Sequence, residues 1–161
     1  MNFKLSILLL IGSVNIYSND LISSFNNLIL NDLEFVQQTN INSKIDESVG
    51  KIYRINNLIQ VEILKPSKEK YIIKDNLIEV HDFDFNQISY VDINEQDSYI
   101  LSILKNGIDN NNTKKISDNT FVIGNMNNSF HVEFKSEDEF IISYQDNMNF
   151  RNTINFKSIN K

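Results

Sequence analysis

Between residues 20 and 33, Leu21, Ile22, Phe25, Leu28 and Ile29 recur at spacings of three and four, the apolar stripe of an amphipathic helix. Beyond that stretch the period falls to two. The segments 34–39, 49–55, 57–64, 69–74, 77–82 and 87–93 alternate apolar and polar residues and are separated by turn residues, which predicts a meander of antiparallel strands. The run Lys74-Asp75-Asn76-Leu77 predicts a tight hairpin turn, because Asp and Asn tolerate the left-handed backbone such a turn requires. A second helix is predicted over 97–106, where Tyr99, Ile100, Ile103 and Leu104 share a face and Gly107 supplies the stop. Four more strands follow at 120–124, 129–135, 139–145 and 149–158. The clearest alternation sets Phe130, Val132 and Phe134 inward against His131, Glu133 and Lys135 outward. The expected class is α+β, mainly antiparallel β. A sheet of about ten strands must curl or split, so the expected architecture is a curved, incomplete (half-open) β barrel with helices covering its concave face. No internal repeat of fixed period is visible.

The amino terminus adds a destination. Lys4 precedes an apolar run over residues 5–16 broken only by Ser6, Gly12, Ser13 and Asn15, which is the outline of a signal peptide. The run is shorter than the roughly 20 apolar residues a spanning helix needs. The expectation is a leader at 1–18, cleaved after Ser18, and one exported domain at 19–161. Losing Lys4 with the leader leaves 14 basic against 21 acidic residues, a charge of −7, which does not suit a nucleic-acid partner. Cysteine is absent, so packing alone must stabilise the exported domain, and the amino terminus offers no thiol for lipid attachment. The asparagine runs at 110–112 and 127–128 read as loops.

Catalytic patterns are sparse. There is no nucleophile elbow and no glycine-rich phosphate loop, and the chain holds four glycines and two histidines. His131 sits at an outward strand position. His81 stands beside Asp82 and Asp84, a grouping that a metal site or a general base would use but that a solvated turn explains more simply. The expectation is a protein without enzymatic activity, metal or cofactor.

The order of features resembles the periplasmic outer-membrane lipoprotein carrier protein (LolA) family. After the leader and the amphipathic helix comes that family's Phe-x-Gln strand, matched by Phe35, Val36 and Gln37. A Gly-x-Leu/Ile strand follows, matched by Gly50, Lys51 and Ile52, and then a hydrophobic strand ending in Pro66. The hairpin usually written Ile-Val-Ser-Asp-Gly is Ile72, Ile73, Lys74, Asp75 and Asn76 here. Val80, His81, Asp82 and Gln87 stand where the family has a Tyr-Asp or Tyr-Asn pair, a loop and a Gln. The match spans about residues 35–93. It departs at the family's Arg-Pro pair, whose arginine is thought to hold the lid helices over the cavity; the matching stretch is Ile55, Asn56 and Asn57, and Arg54 lies one place away.

The resemblance implies a periplasmic chaperone, monomeric, whose cavity binds lipoprotein acyl chains. Its partners would be an inner-membrane ABC transporter complex that loads it and an outer-membrane lipoprotein receptor that unloads it. On the inward positions of the matched strands, Phe35, Ile52, Val61, Ile63, Ile73, Ile88 and Tyr90 would line the cavity, with Phe25 and Ile29 on the covering lid helix. The family's sister receptor is itself lipidated on a cysteine that this chain lacks. The alternative is an exported adhesion or assembly module that binds protein and has a packed core without a lipid cavity.

Overall fold

The computed structural model describes residues 17–93, 99–125 and 128–159; the proposed leader lies largely outside that range. Helix α1 (Tyr17–Leu28) is followed by six strands in a row: β1 (Leu33–Ile41), β2 (Lys44–Ile55), β3 (Leu58–Lys65), β4 (Glu69–Lys74), β5 (Leu77–Asp82) and β6 (Gln87–Asp92). Helix α2 (Tyr99–Asn106) and a single 3-10 turn (Asn110–Asn112) come next. The last five strands are β7 (Thr113–Lys115), β8 (Thr120–Asn125), β9 (Asn128–Phe134), β10 (Glu139–Gln145) and β11 (Arg151–Ser158).

All eleven strands form one antiparallel sheet in the order β6-β5-β4-β3-β2-β1-β11-β10-β9-β8-β7. Two meanders, one from each half of the chain, are joined where β1 pairs with β11. The sheet does not close into a barrel. Among the described residues its outermost strands are β6 and β7, and the segment containing α2 carries the chain from one to the other.

Local chemistry explains the pairing. Two-residue loops join β1 to β2, β2 to β3 and β4 to β5, and Asn42, Ser43, Asn56 and Asp75 in them adopt positive φ. That backbone matches the strand twist, and Asn and Asp adopt it at low cost. The β1–β2 hairpin reaches further than periodicity suggests, because its outer part, 44–48, is polar apart from the exposed Ile45 and shows no buried phase. The eleventh strand, β7, has only three residues, too few for an alternating signature. Where β2 passes Phe35 it carries Gly50, and a Cβ there would lie 2.5 Å from the Phe35 ring and 2.3 Å from the Glu62 carbonyl oxygen.

The helices pack on the concave face. Phe25 of α1 enters edge-on between Phe121 and Phe140, with ring centroids 5.5 and 5.1 Å away, and Leu28 and Ile29 are buried beside it. From α2, Ile103 and Leu104 join the same core, together with Leu33, Ile52, Ile123, Val132, Ile142 and Phe156 from the sheet. The β9 alternation is as expected: Phe130 and Val132 are buried and His131 is exposed.

Candidate functional site

A partly open cavity of about 1390 Å³ lies between α2 and the concave face. Pockets for drug-sized ligands run to roughly 300–1,000 Å³. One wall is sheet: Phe35 on β1, Ile52 on β2, Val61 and Ile63 on β3 and Tyr71 on β4, continuing through Phe156 and Ile154 on β11 to Tyr144 and Phe130. The other wall is α2, through Ile100, Leu101 and Leu104. Alternation puts these sheet residues on one face. Phe35 opposes Phe156 and Gly50, Gly50 opposes Ile63, and Ile52 opposes Val61, so one apolar strip runs across neighbouring strands.

One end of the cavity is polar. Asn152, 3% exposed, accepts from the Thr39 hydroxyl at 2.6 Å and the Gln37 amide at 3.3 Å, and donates to Asp146 at 3.1 Å and to the Phe150 carbonyl at 3.2 Å. Each buried polar atom of the Asn152 side chain is thus satisfied, as a buried amide requires. Asp146 also caps the β10–β11 hairpin, accepting from the Met148 and Phe150 backbone N–H groups. Tyr71 donates to Glu69, and burial, reinforced by that carboxylate and by Asp82, raises its phenol well above the ordinary value of 10. Burial, and then Asp146, raises Tyr144 in the same direction.

Three polar tethers fix the carboxyl end of α2. Arg54, at an inward position of β2, donates to the Ile29 carbonyl just past α1 at 2.5 Å and to the Leu104 carbonyl in the last turn of α2 at 2.7 Å. A cation suits these helix ends, where carbonyls lack intrahelical partners. Burial pulls the Arg54 pKa down and the neighbouring Asp32 carboxylate opposes that shift. Lys105 donates to the Asp75 carbonyl in the β4–β5 turn and to the Asn76 side chain at 3.3 Å. Asn26 of α1 makes a reciprocal pair with Ile108, donating to its carbonyl and accepting from its N–H, both at 2.9 Å. Gly107 ends the helix at φ 71°, with its N–H bonded to the Ile103 carbonyl at 2.8 Å. At the opposite end of α2, Tyr99 stacks on Phe130 with centroids 4.6 Å apart.

Of the nine expected site residues, Phe35, Ile52, Val61 and Ile63 line the cavity. Ile73 points inward but is 2% exposed and packs into the core without reaching the cavity wall. Phe25 lies on α1, wedged toward β8 and β10, and Ile29 just past the end of that helix; both are core, and the helix over the cavity is α2. Ile88 and Tyr90 are corrected outright. They are 58% and 62% exposed on the convex side, because β6 pairs Val91 with the buried Ile78 and so turns Ser89 and Val91 inward. The segment holds apolar residues in both phases, and only the partner strand chooses between them. The missed lining residues on β9 to β11 and α2 sit on faces whose periodicity is plain in the sequence. Which of those faces meets open space and which meets a helix is a tertiary matter.

His81 lies on the convex side, paired with Glu79 on its own strand. Among the described residues no three His, Cys, Asp or Glu side chains gather as a metal would require, and no helix is long and apolar enough to cross a membrane.

No protein-family model matches the chain, and no curated protein matches it. Among solved structures it is similar to an uncharacterized conserved protein from Thermus thermophilus, at 12% identity and a TM-score of 0.43, over 89% of this chain and 88% of that one. It is also similar to a redesigned β barrel, at 11% identity and a TM-score of 0.35, over 85% of this chain and 96% of that one. Likenesses this distant carry no argument about activity.

Proposed function

We propose that the protein is a periplasmic chaperone that binds lipoprotein acyl chains in the cavity beneath α2 and carries them from an inner-membrane ABC transporter to an outer-membrane receptor, with no catalytic step. The observation that carries this reading is the cavity itself: a volume above the drug-sized range, open to solvent, in which Ile, Val, Phe and Leu of the sheet and α2 stand beside polar residues such as Gln37, Ser102, Lys105 and Asp146. A methylene removed from water is worth roughly 0.8 kcal/mol, so a chain of about fifteen contributes on the order of 10 kcal/mol, too much to cross water unshielded.

Arg54 supports the same reading. In the LolA family an arginine is thought to hold the lid helices over the cavity, and Arg54 bonds to carbonyls at the ends of both helices here. With three polar tethers at the carboxyl end of α2 and a ring stack at the other, the lid opens from the Tyr99 end while Gly107 and Ile108 hold. A protein-binding module with a filled interior would have no use for this volume.

Native mass spectrometry of the protein recovered from the periplasm of expressing cells tests the proposal. Lipid or lipoprotein adducts on the wild type, absent from Ile63→Glu, are expected. A clean protein mass, with no uptake of an added diacyl lipid, overturns it.

A further inference from the structure

Gly107 holds its place at the end of α2 because the fold requires a glycine there: its φ is 71°, and a Cβ would lie 2.8 Å from the Asn26 Oδ1. Asn106 before it is under no such demand. It is exposed, and its side chain's hydrogen bond among the described residues is a long one, from Nδ2 to the Ser102 hydroxyl at 3.4 Å. The two residues make the one Asn-Gly pair in the chain. Such a pair is chemically labile, because glycine has no side chain to keep its backbone nitrogen away from the asparagine Cγ. In the folded protein the Gly107 N–H is bonded to the Ile103 carbonyl at 2.8 Å, so the attacking nitrogen is engaged for as long as the last turn of α2 stays closed. That turn is held in its own right by Arg54 on the Leu104 carbonyl and by Lys105 on the Asp75 carbonyl.

We infer that Asn106 is a site of spontaneous deamidation gated by the last turn of α2, and that its conversion releases that end of the helix for good. When the turn frays, the Gly107 nitrogen gives up its proton and bonds to the Asn106 Cγ, and the Cγ–Nδ2 bond breaks with that nitrogen leaving as ammonia. Water then opens the cyclic imide. Attack on the side-chain carbonyl leaves aspartate and attack on the main-chain carbonyl leaves isoaspartate, so amide and water become acid and ammonia with no redox partner. Isoaspartate routes the main chain through the former side chain, which inserts a methylene and carries the Gly107 N–H away from the Ile103 carbonyl. Either product also sets a carboxylate on the carboxyl end of a helix, where the macrodipole disfavours it. Asn106 lines the cavity, so the same event puts a new negative charge on the cavity wall. None of these steps needs a ligand, so failure of the acyl reading leaves them untouched.

The test ages the whole protein at mildly alkaline pH and physiological temperature, then maps its peptides by mass spectrometry with electron-transfer fragmentation, which separates isoaspartate from aspartate. Asn106 is expected to gain the mass that accompanies exchange of NH2 for OH, at least tenfold more slowly in the folded protein than in urea. Arg54→Met and Lys105→Met each remove one hold on the last turn and should each speed conversion at least threefold, every variant being compared with its own rate in urea. Hydrogen exchange across Tyr99–Asn106 should be faster in the aged wild type than in the fresh one. Asn106→Gln should age without that change, since glutamine must close a larger and slower-forming ring. Equal rates in the folded and urea-unfolded wild type overturn the inference, as do rates that neither variant raises. An amide kept at Asn106 in the folded wild type and in both variants long after the urea samples are fully converted overturns it too. So does converted protein whose α2 exchanges like the fresh one.

Discussion

Arg54→Met removes the guanidinium that joins the ends of α1 and α2 while keeping much of the side chain's apolar length. Two hydrogen bonds from a charged donor are lost, at about 1.5–3 kcal/mol each. Against that, the variant no longer desolvates a cation whose buried Nε has no partner, which lowers the net effect. Taken together these place the loss at about 2–3 kcal/mol. For a domain of this size that is a fall in Tm of roughly 5–10 °C. The larger signature is local. The Ile29 and Leu104 carbonyls lose their shared donor, so amide exchange should accelerate across Tyr99–Asn106 more than in β10 or β11. Arg54→Lys should recover only part of the loss, because both bonds come from Nη2 and the ammonium of the shorter lysine side chain falls short of that position. Differential scanning fluorimetry with hydrogen exchange measured by mass spectrometry reads both effects. An unchanged Tm together with unchanged exchange in α2 would refute the tether.

Phe25→Ala empties the site between Phe121 and Phe140 and is expected to cost about 3–5 kcal/mol, read as a lower urea midpoint at constant slope. Gly50→Ala drives a Cβ into the Phe35 ring and the Glu62 carbonyl; with backbone on one side, an overpacking loss of about 1–3 kcal/mol is expected in the same assay. Ultraviolet titration should show Tyr71 and Tyr144 ionising above the ordinary phenol range, since burial raises both. A folded-state pKa raised above the unfolded value means this stabilisation is complete below about pH 10 and is lost as pH climbs toward the raised values. Glu69→Gln should lower the Tyr71 titration only in part, because burial is the larger cause.

The fold was largely legible in the sequence because each of its main determinants is local. Leu21, Phe25, Leu28 and Ile29 announce a helix, Phe130, Val132 and Phe134 announce a strand, and Asp75 announces a turn, each through contacts within a few residues. What escaped depends on partners distant along the chain. The phase of β6 is set by Ile78 across the ladder, so Ile88 and Tyr90, the bulkier pair, look inward until the pairing is known. Phe25 and Ile73 share the apolar character of Phe35 and Ile63, yet the first two meet packed side chains and the second two meet open volume. Hydrophobicity marks a buried face without saying what fills the space opposite. Arg54 is the inverse case: an arginine near a strand end carries no signal of its own until two helix ends, 25 and 50 residues away, converge on it.

The acyl-binding cavity proposed under α2 is tested by titrating the protein with a lipid-tailed fluorescent probe in three forms: wild type, Ile63→Glu and Ile88→Glu. Ile63 lines the cavity and Ile88 stands on the convex face, so the two variants add the same charge on opposite sides of the sheet. Saturable probe binding is expected, reduced at least tenfold by Ile63→Glu and left unchanged by Ile88→Glu. No binding to the wild type, or an equal loss in both variants, would contradict it.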